Sequence, residues 1–497
     1  MVSSPRSGVL SAFVLALVAT SVAGVLHLPR MMRPFERSVA SSAMTPLVIA
    51  QRNFDQVGFG ALRGVPTVGT AGCDARSRQP LLARPPLPFW MTHAARRLMG
   101  WNEAAFRLVP YLSFLLAVFC VVLLGARFSG SAAAGLIGGL LLAVLPFIFE
   151  FGLMPGGPAL TLAALALTLA AWLRARERCT PGGLLLAALA MATAVQTGFE
   201  ALVLPPALLF AEGLRRREER FCGGALWILG AAILSLGLIV AFAAWGLETP
   251  LLDAAREIGV AVAREARQGF DGSLPELLGR QILLAAEFLG WPLVALEAVL
   301  LILLAAKPRK LRKTVVLLPA TLHLAALALL SIFGPASLHG PRPWSLLVLG
   351  VVLAFAGCFQ AAWKRAPMLA VLLLVFPVFS AAALGSLTFE SRTADTRNRD
   401  LGALIAAFSR PGDLVMTPES DAAAGFYAGV PVLEHVSHPA VIEAALHLRS
   451  EGRASFQRIL VYMPESVLAE NRPLAEWLRS RATESRIGDV LIWVLEP

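Results

Sequence analysis

The chain is poor in charge, in lysine and in tyrosine. Only 15% of its 497 residues are charged, four of its 43 basic residues are lysine (Lys307, Lys310, Lys313 and Lys364), and there are three tyrosines. A soluble globular chain carries about 25% charged and about 45–50% apolar residues. Here 57% are hydrophobic and mean hydropathy is +0.69. That surplus cannot be hidden in a water-facing fold, and disorder needs the opposite bias. A soluble cytosolic enzyme is thereby excluded. Cysteine is also scarce: Cys73, Cys120, Cys179, Cys222 and Cys358 show no CxxC spacing, which leaves neither a disulfide framework nor a zinc site. The seven histidines form no HExxH pair, and no solenoid repeat or low-complexity tract is visible.

What is present is a succession of apolar runs. A helix needs about 20 mostly apolar residues to cross a bilayer. Candidate spans fall at 8–27, 107–126, 132–149, 158–173, 183–196, 199–213, 222–246, 282–306, 314–334, 344–363 and 368–386. Only Gln196-Thr197-Gly198 separates the short pair within 183–213, which reads either as two helices or as one broken helix. The first run, with Arg6 before it and small residues at Ser21-Val22-Ala23-Gly24, resembles a signal peptide. Because further spans follow, an uncleaved anchor is expected.

The net charge of +10 points to loops facing anionic lipid rather than to nucleic acid. Arg174 to Arg178, Arg215 to Arg217, Lys307 to Lys313 and Lys364-Arg365 are expected to be cytoplasmic, whereas 150–157 and 196–199 carry no Lys or Arg. With a cytoplasmic N-terminus, all the basic turns lie inside if 183–213 crosses twice. That gives about eleven spans and an outside C-terminus. Residues 28–106, 247–281 and the tail from about 387 then face outward. Residues 251–268, with Arg256, Glu257, Arg264, Glu265 and Arg267 among apolar positions, read as a helix along the membrane surface or as one packed on its neighbours with a solvated charged face.

The tail alternates strand and helix patterns. A helix is expected from Arg397 to Ser409, strands at Asp413–Thr417, Phe456–Met463 and Asp489–Leu495, and helices near 438–450 and 465–480. The fold class expected is a polytopic α-helical membrane protein with a small extracytoplasmic α/β domain, divided as 1–386 and 387–497. The tail has no GxGxxG and no P-loop, so a nucleotide cofactor is not expected. A structural cap or partner-recognition module is the plainer reading of it. Within the spans, Glu200, Glu287 and Glu297 are too few for a proton relay, which counts against a transporter or flippase.

The most informative stretch is Arg84-Pro85-Pro86-Leu87-Pro88-Phe89-Trp90, followed by Gly100-Trp101-Asn102-Glu103-Ala104-Ala105-Phe106-Arg107. Two prolines fix an extended backbone, and a basic residue beside them suits a lipid phosphate at the interface. Trp90 suits an interfacial anchor. The plainer reading is a pre-helix turn with a snorkelling arginine.

With Ile49-Ala50-Gln51-Arg52-Asn53-Phe54 and Gly58 upstream and Pro411-Gly412-Asp413 in the tail, the chain resembles the GT-C superfamily of membrane glycosyltransferases, in the branch of aminoarabinose transferases and protein mannosyltransferases. The resemblance implies a polyprenyl-phosphate sugar donor, a lipid, glycan or protein acceptor outside the cytoplasm, and a bacterial inner-membrane location. It also implies an acidic first-loop residue acting as base and cations against the departing phosphate. Arg84 matches the lysine of the family's Pro-Pro turn. His339 and Arg342, in Leu338-His339-Gly340-Pro341-Arg342-Pro343-Trp344, match its basic cluster near the carrier phosphate; otherwise they form a polar turn.

The family's acidic positions, however, fall near Ala43-Met44 and near Met154-Pro155-Gly156-Gly157, where no acid stands. A divalent metal, used in some branches, loses its expected ligands with them. Glu36 and Asp55 are the expected substitutes, with Asp74 and Glu150 behind them; Glu36 otherwise pairs with Arg33 or Arg37 as a surface carboxylate. The leading expectation is sugar transfer from a polyprenyl-phosphate donor. The alternative is a catalytically inactive relative that binds a lipid carrier or a partner protein.

Overall fold

A computed structural model of the chain describes residues 5–35, 39–68, 79–178, 180–213, 224–267, 273–306 and 342–368, with scattered residues over 319–330 and 370–383. In the tail it describes 397–410, 412–417, 427, 432–433, 436, 438–451, 456–464, 471–487 and 490–496. The chain divides into two compact units, Met1–Met32 with Leu82–Ser391 and Arg33–Leu81 with Arg392–Pro497.

The first unit is helical. Its elements are α1 (Pro5–His27), then α3 (Leu87–Met99), α4 (Glu103–Ser129), α5 (Ala132–Val144), α6 (Pro146–Phe151), α7 (Pro158–Arg178), α8 (Pro181–Thr197), α9 (Leu204–Gly213), α10 (Gly224–Leu247), α11 (Leu251–Arg267), α12 (Leu274–Leu289), α13 (Trp291–Ala306) and α14 (Ser345–Arg365). Helix α2 (Val39–Asn53) belongs to the second unit. Among the described residues, five helices are long and apolar enough to cross a membrane: Val9–Met32, Glu103–Ser129, Pro158–Ala175, Gly224–Leu247 and Arg342–Arg365. They correspond to the expected spans at 8–27, 107–126, 158–173, 222–246 and 344–363.

Local chemistry explains where these helices start and stop. The Asn102 side chain accepts from Ala105 N at 2.9 Å to cap α4, and Gly130 ends it in the left-handed region at φ 70°. Ser131 then caps α5 by accepting from Ala134 N. Hydropathy overstates two spans, and a third region breaks where its sequence suggests. The run 132–149 breaks at Leu145, which is extended (φ −60°, ψ 138°) because Pro146 opens α6. The run 282–306 breaks at Gly290 (φ 86°), followed by Pro292 in the first turn of α13. Between 183 and 213 the chain is broken at Gly198, which is extended, and continues as a 3₁₀ turn, Phe199–Val203, before α9. Most of 314–334 lies outside the described residues.

Helix α5 packs directly on α4 because its Gly135 and Gly139, a Gly-x-x-x-Gly pair, have no side chains. A Cβ on Gly135 would run into the Val122 carbonyl, and one on Gly139 into the Val122 side chain. Gly135→Val is therefore expected to force the two helices apart at a cost of at least about 1–3 kcal/mol, read as a lowered thermal midpoint of the detergent-purified protein.

The second unit is an α/β layer structure. Its sheet runs β4 (Val432–Leu433), β3 (Leu414–Met416), β5 (Ile459–Pro464), β7 (Val490–Leu495), β6 (Thr483–Ile487). The β3 pairings are parallel, and β5–β7 and β7–β6 are antiparallel. Alternate residues face opposite sides. Leu414, Met416, Ile459, Val461, Met463, Leu491 and Trp493 pack with Ile442 of α16 (Pro439–Ser450) and Leu474 and Leu478 of α17 (Arg472–Arg481). Val415, Leu460, Tyr462 and Ile492 pack on the other side with Ile405 of α15 (Arg397–Phe408). Covering both faces accounts for the nearly unbroken apolar character of β3, β5 and β7. Strands β4 and β6 are additions to the elements expected from sequence.

The segment Arg33–Leu81 shares this unit. Phe35 is buried, and its backbone N–H donates to the Tyr427 hydroxyl at 2.7 Å. Helix α2 leads into β1 (Thr67–Val68), which pairs antiparallel with β2 (Gln79–Pro80).

Candidate functional site

The Pro-Pro run and the Arg342 turn, both singled out by the sequence, belong to the helical unit. Pro85 and Pro86 are buried, and Pro86 is already helical (φ −78°, ψ −22°) as the residue before α3. The Pro-Pro run thus turns into a helix one residue earlier than an extended pair implies. Arg84 precedes it and is half-buried. Trp90, in the first turn of α3, packs edge-on against Phe242 of α10 at 5.0 Å rather than standing alone. Arg96 of α3 lies over the Trp101 ring at 4.9 Å.

Arg342 stands in a 3₁₀ turn, Arg342–Trp344, at the head of α14. Its Nη2 donates to the Gly156 carbonyl at 2.6 Å. This joins the 342–344 turn to the 152–157 turn through two residues 186 positions apart in sequence. Gly156 sits at φ 67°, a conformation that favours glycine. Below the turn Trp344 meets Phe288 at 5.3 Å, and Phe288 meets Phe147 and Phe151 of α6 at 5.6 and 5.4 Å. A guanidinium offers five donors. Beyond Gly156, Arg342 meets no other protein acceptor among the described residues. The result is a cation oriented by one backbone carbonyl, two residues from an aromatic cluster.

A second basic cluster, not singled out from sequence, pins the neighbouring chain. Arg30 donates to the Ile148 carbonyl at 3.4 Å and to the Phe149 carbonyl, gripping the end of α6. Its guanidinium lies over the Phe149 ring at 5.4 Å. His27 Nε2 meets the Ala143 carbonyl at 2.9 Å and Nδ1 meets Arg30 Nη1 at 2.9 Å. A carbonyl only accepts and a guanidinium only donates, so the ring is neutral and protonated on Nε2. Arg107 donates to the Arg30 carbonyl at 3.0 Å. The available signal was an arginine just beyond an apolar span, which hydropathy alone reads as snorkelling.

The expected acids do not join this picture. Glu36 and His339 lie outside the described residues. Asp74 does too, and Glu150 is half-exposed on α6. Asp55 is exposed and belongs to the second unit, in a π-helical turn, Phe54–Gly58, that continues α2. Beside it Asn53 is buried and donates from Nδ2 to Thr67 O and Oγ1, each at 3.0 Å. Burial pushes the Arg52 guanidinium down to about 10, which leaves it charged at neutral pH. Among the described residues no group of three or more His, Cys, Asp or Glu could hold a metal ion. With no acid at Ala43-Met44 or at 154–157, the described residues do not fit a divalent cation.

Asp413, from the tail's Pro-Gly-Asp, has a different task. It is fully buried and accepts from Arg458 Nε at 3.0 and 3.1 Å, from Arg458 Nη2 at 2.8 Å and from Arg410 N at 2.6 Å. Arg458 Nη2 also donates to Phe408 O at 2.9 Å. The pair fastens α15 to the start of β3 and β5. The hydrogen bonds to Asp413 hold the Arg458 guanidinium above its ordinary value.

Residues 83–245 match the profile of the dolichyl-phosphate-mannose-protein mannosyltransferase family. No significant match to a curated protein sequence is found. Among solved structures, the chain is similar to ArnT from Cupriavidus metallidurans bound to undecaprenyl phosphate, with a TM-score of 0.60 and 15% identity, covering 99% of this chain and 98% of that one. It is also similar to the Archaeoglobus fulgidus oligosaccharyltransferase in its apo form, with a TM-score of 0.60 and 10% identity, covering 93% and 71%. AglB from the same organism, in complex with an inhibitory peptide and a dolichol-phosphate, gives 0.59 and 11% over the same shares. The chain has the fold of the GT-C membrane glycosyltransferases and is a multi-pass membrane protein.

Proposed function

We propose that the protein transfers a sugar from a polyprenyl-phosphate-linked donor to a lipid, glycan or protein acceptor outside the cytoplasm. The observation that carries this reading is the hydrogen bond by which Arg342 is held against the 152–157 turn, in a fold shared end to end with an undecaprenyl-phosphate-bound protein. On this reading the core crosses the bacterial inner membrane about eleven times from a cytoplasmic N-terminus. Residues 387–497 lie outside as a recognition or capping domain. Arg84, Arg342 and His339 hold the carrier phosphate and balance the charge that grows on it as the glycosidic bond breaks. Glu36 or Asp55 takes the proton of the acceptor hydroxyl.

The test is transfer from a polyprenyl-phosphate sugar by the full chain in vesicles. Glu36→Ala and Asp55→Ala are expected to abolish transfer with expression intact. Unchanged transfer in both shifts the base to Asp74 or Glu150. The absence of acids at Ala43-Met44 and at 154–157 favours one other reading, an inactive relative that binds the carrier without turnover. A polyprenyl phosphate that co-purifies with a protein showing no transfer from any donor would establish that second reading.

A further inference from the structure

Helix α10 presents one exposed apolar stripe. Trp227, Leu234, Leu238 and Trp245, spaced by seven, four and seven residues, fall on one helix face and are 57–66% exposed. The two tryptophans are 18 residues apart, about 27 Å along a helix, close to the roughly 30 Å of bilayer hydrocarbon. Indole rings at both ends of such a stripe suit the two headgroup regions. Trp245 thereby marks one interface on α10.

Immediately beyond that mark the chain turns sharply. Glu248 adopts φ 56°, and Thr249 N–H reaches back to the Ala244 carbonyl at 3.1 Å, the six-to-one bond of a Schellman cap built on a non-glycine residue. Pro250 then opens α11, whose Ala254 and Ile258 are buried and whose neighbouring flank is exposed and apolar. Leu251 is 60% and Leu252 82% exposed. Gly259 and Ala263 continue the Leu252 flank, and Asp253, Arg256, Glu257 and Arg264 occupy the exposed face beside it. From Asp253 to Arg267 the helix carries three acids and three arginines, so it has no net charge to draw it to anionic lipid.

We propose that α11 lies in the membrane interface, with Leu251 and Leu252 inserted among lipid chains next to Trp245, held by apolar contact and indifferent to headgroup charge. The occupant of this flank is the bilayer because the flank continues the lipid-facing stripe of α10 past its tryptophan. The proposal rests on the membrane assignment and not on sugar transfer, so an inactive protein leaves it standing.

Two measurements test it. A bilayer-partitioning diazirine, photolysed with the unmodified full chain in phosphatidylcholine vesicles, should label Leu251 and Leu252 as well as Trp245. Labelling at Trp245 with none at 251–252 would overturn the proposal. In a background lacking the five native cysteines, nitroxides at Leu252→Cys and Glu257→Cys, on opposite sides of the helix, should differ in opposite senses. Oxygen should reach position 252 several-fold better than a water-soluble nickel chelate, and the chelate should prevail at 257. Equal access to the chelate at both, or access of neither reagent to 252, contradicts insertion and indicates water or a protein surface there. Adding phosphatidylglycerol should leave both accessibilities unchanged; a marked shift at 252 would overturn the charge-independent attachment.

Discussion

Asp413→Ala is expected to unfold the second unit while the helical unit stays assembled. The substitution leaves the Arg458 guanidinium and the Arg410 N–H facing an empty site where a carboxylate had received both. Breaking a buried ion pair costs about 3–5 kcal/mol. Arg458 retains 15% side-chain exposure, so water relieves part of the loss and the lower end of that range applies. Limited proteolysis of the full chain in detergent should then cut within 397–497 while the core fragment survives. Asp413→Asn keeps the shape and two acceptor sites and should lose less. The pH dependence follows from Arg458, whose pKa is raised in the folded state. Its contribution is complete at every pH below the ordinary arginine value and is lost only as pH rises through the higher folded value. Titration from neutral to pH 10 should therefore leave this clamp intact, and a transition in that window at the 397–497 sites would contradict the assignment.

Arg342→Ala should lower sugar transfer by about 10²–10³ in kcat, the usual loss when one preorganised donor to a developing anion is removed. The same change removes the hydrogen bond to Gly156, worth only about 0.5–1.5 kcal/mol of stability. A small drop in the thermal midpoint with a large drop in kcat separates the two roles. Arg342→Lys retains the charge but not the planar fork, and should recover part of the rate and little of the donor affinity. If Arg342→Ala changed the midpoint alone, the guanidinium would be a fastener between two turns and nothing more.

The parts of this molecule that were legible in the sequence are those where burial writes a period or a cap into the chain. Strands β3, β5 and β7 are apolar because both faces are covered, and Arg397–Phe408 ends at its Pro-Gly. Strand β6, Thr483-Glu484-Ser485-Arg486-Ile487, escaped because an edge strand pairing only with β7 needs no apolar run. Strand β4 is two residues long. Mean hydropathy records how apolar a run is, not its direction, so 282–306 read as one span although Gly290 bends it. Gly290 and Pro292 carried the missing information, as Pro146 did for 132–149. At the site, Arg342 was legible only through its resemblance to a family pattern. Its partner is a backbone carbonyl, which has no sequence signature, and the same holds for Arg30 at Ile148 and Phe149. The association of Arg33–Leu81 with the tail was not legible at all, since no local pattern records a contact across 392 residues.

That last distance sets an order of events. The Phe35 N–H that ends on the Tyr427 hydroxyl leaves the ribosome 392 residues ahead of its acceptor. At about 5–20 residues per second this is an interval of about 20–80 s. For all but the end of it the early segment has been made while every strand of the five-stranded sheet is still unsynthesised, with the intervening helices emerging first and β3 alone, Leu414–Met416, preceding Tyr427. Assembly of the second unit is consequently the closing step of biogenesis. A ribosome stalled before Tyr427 leaves the N-terminal segment without the hydroxyl that receives Phe35.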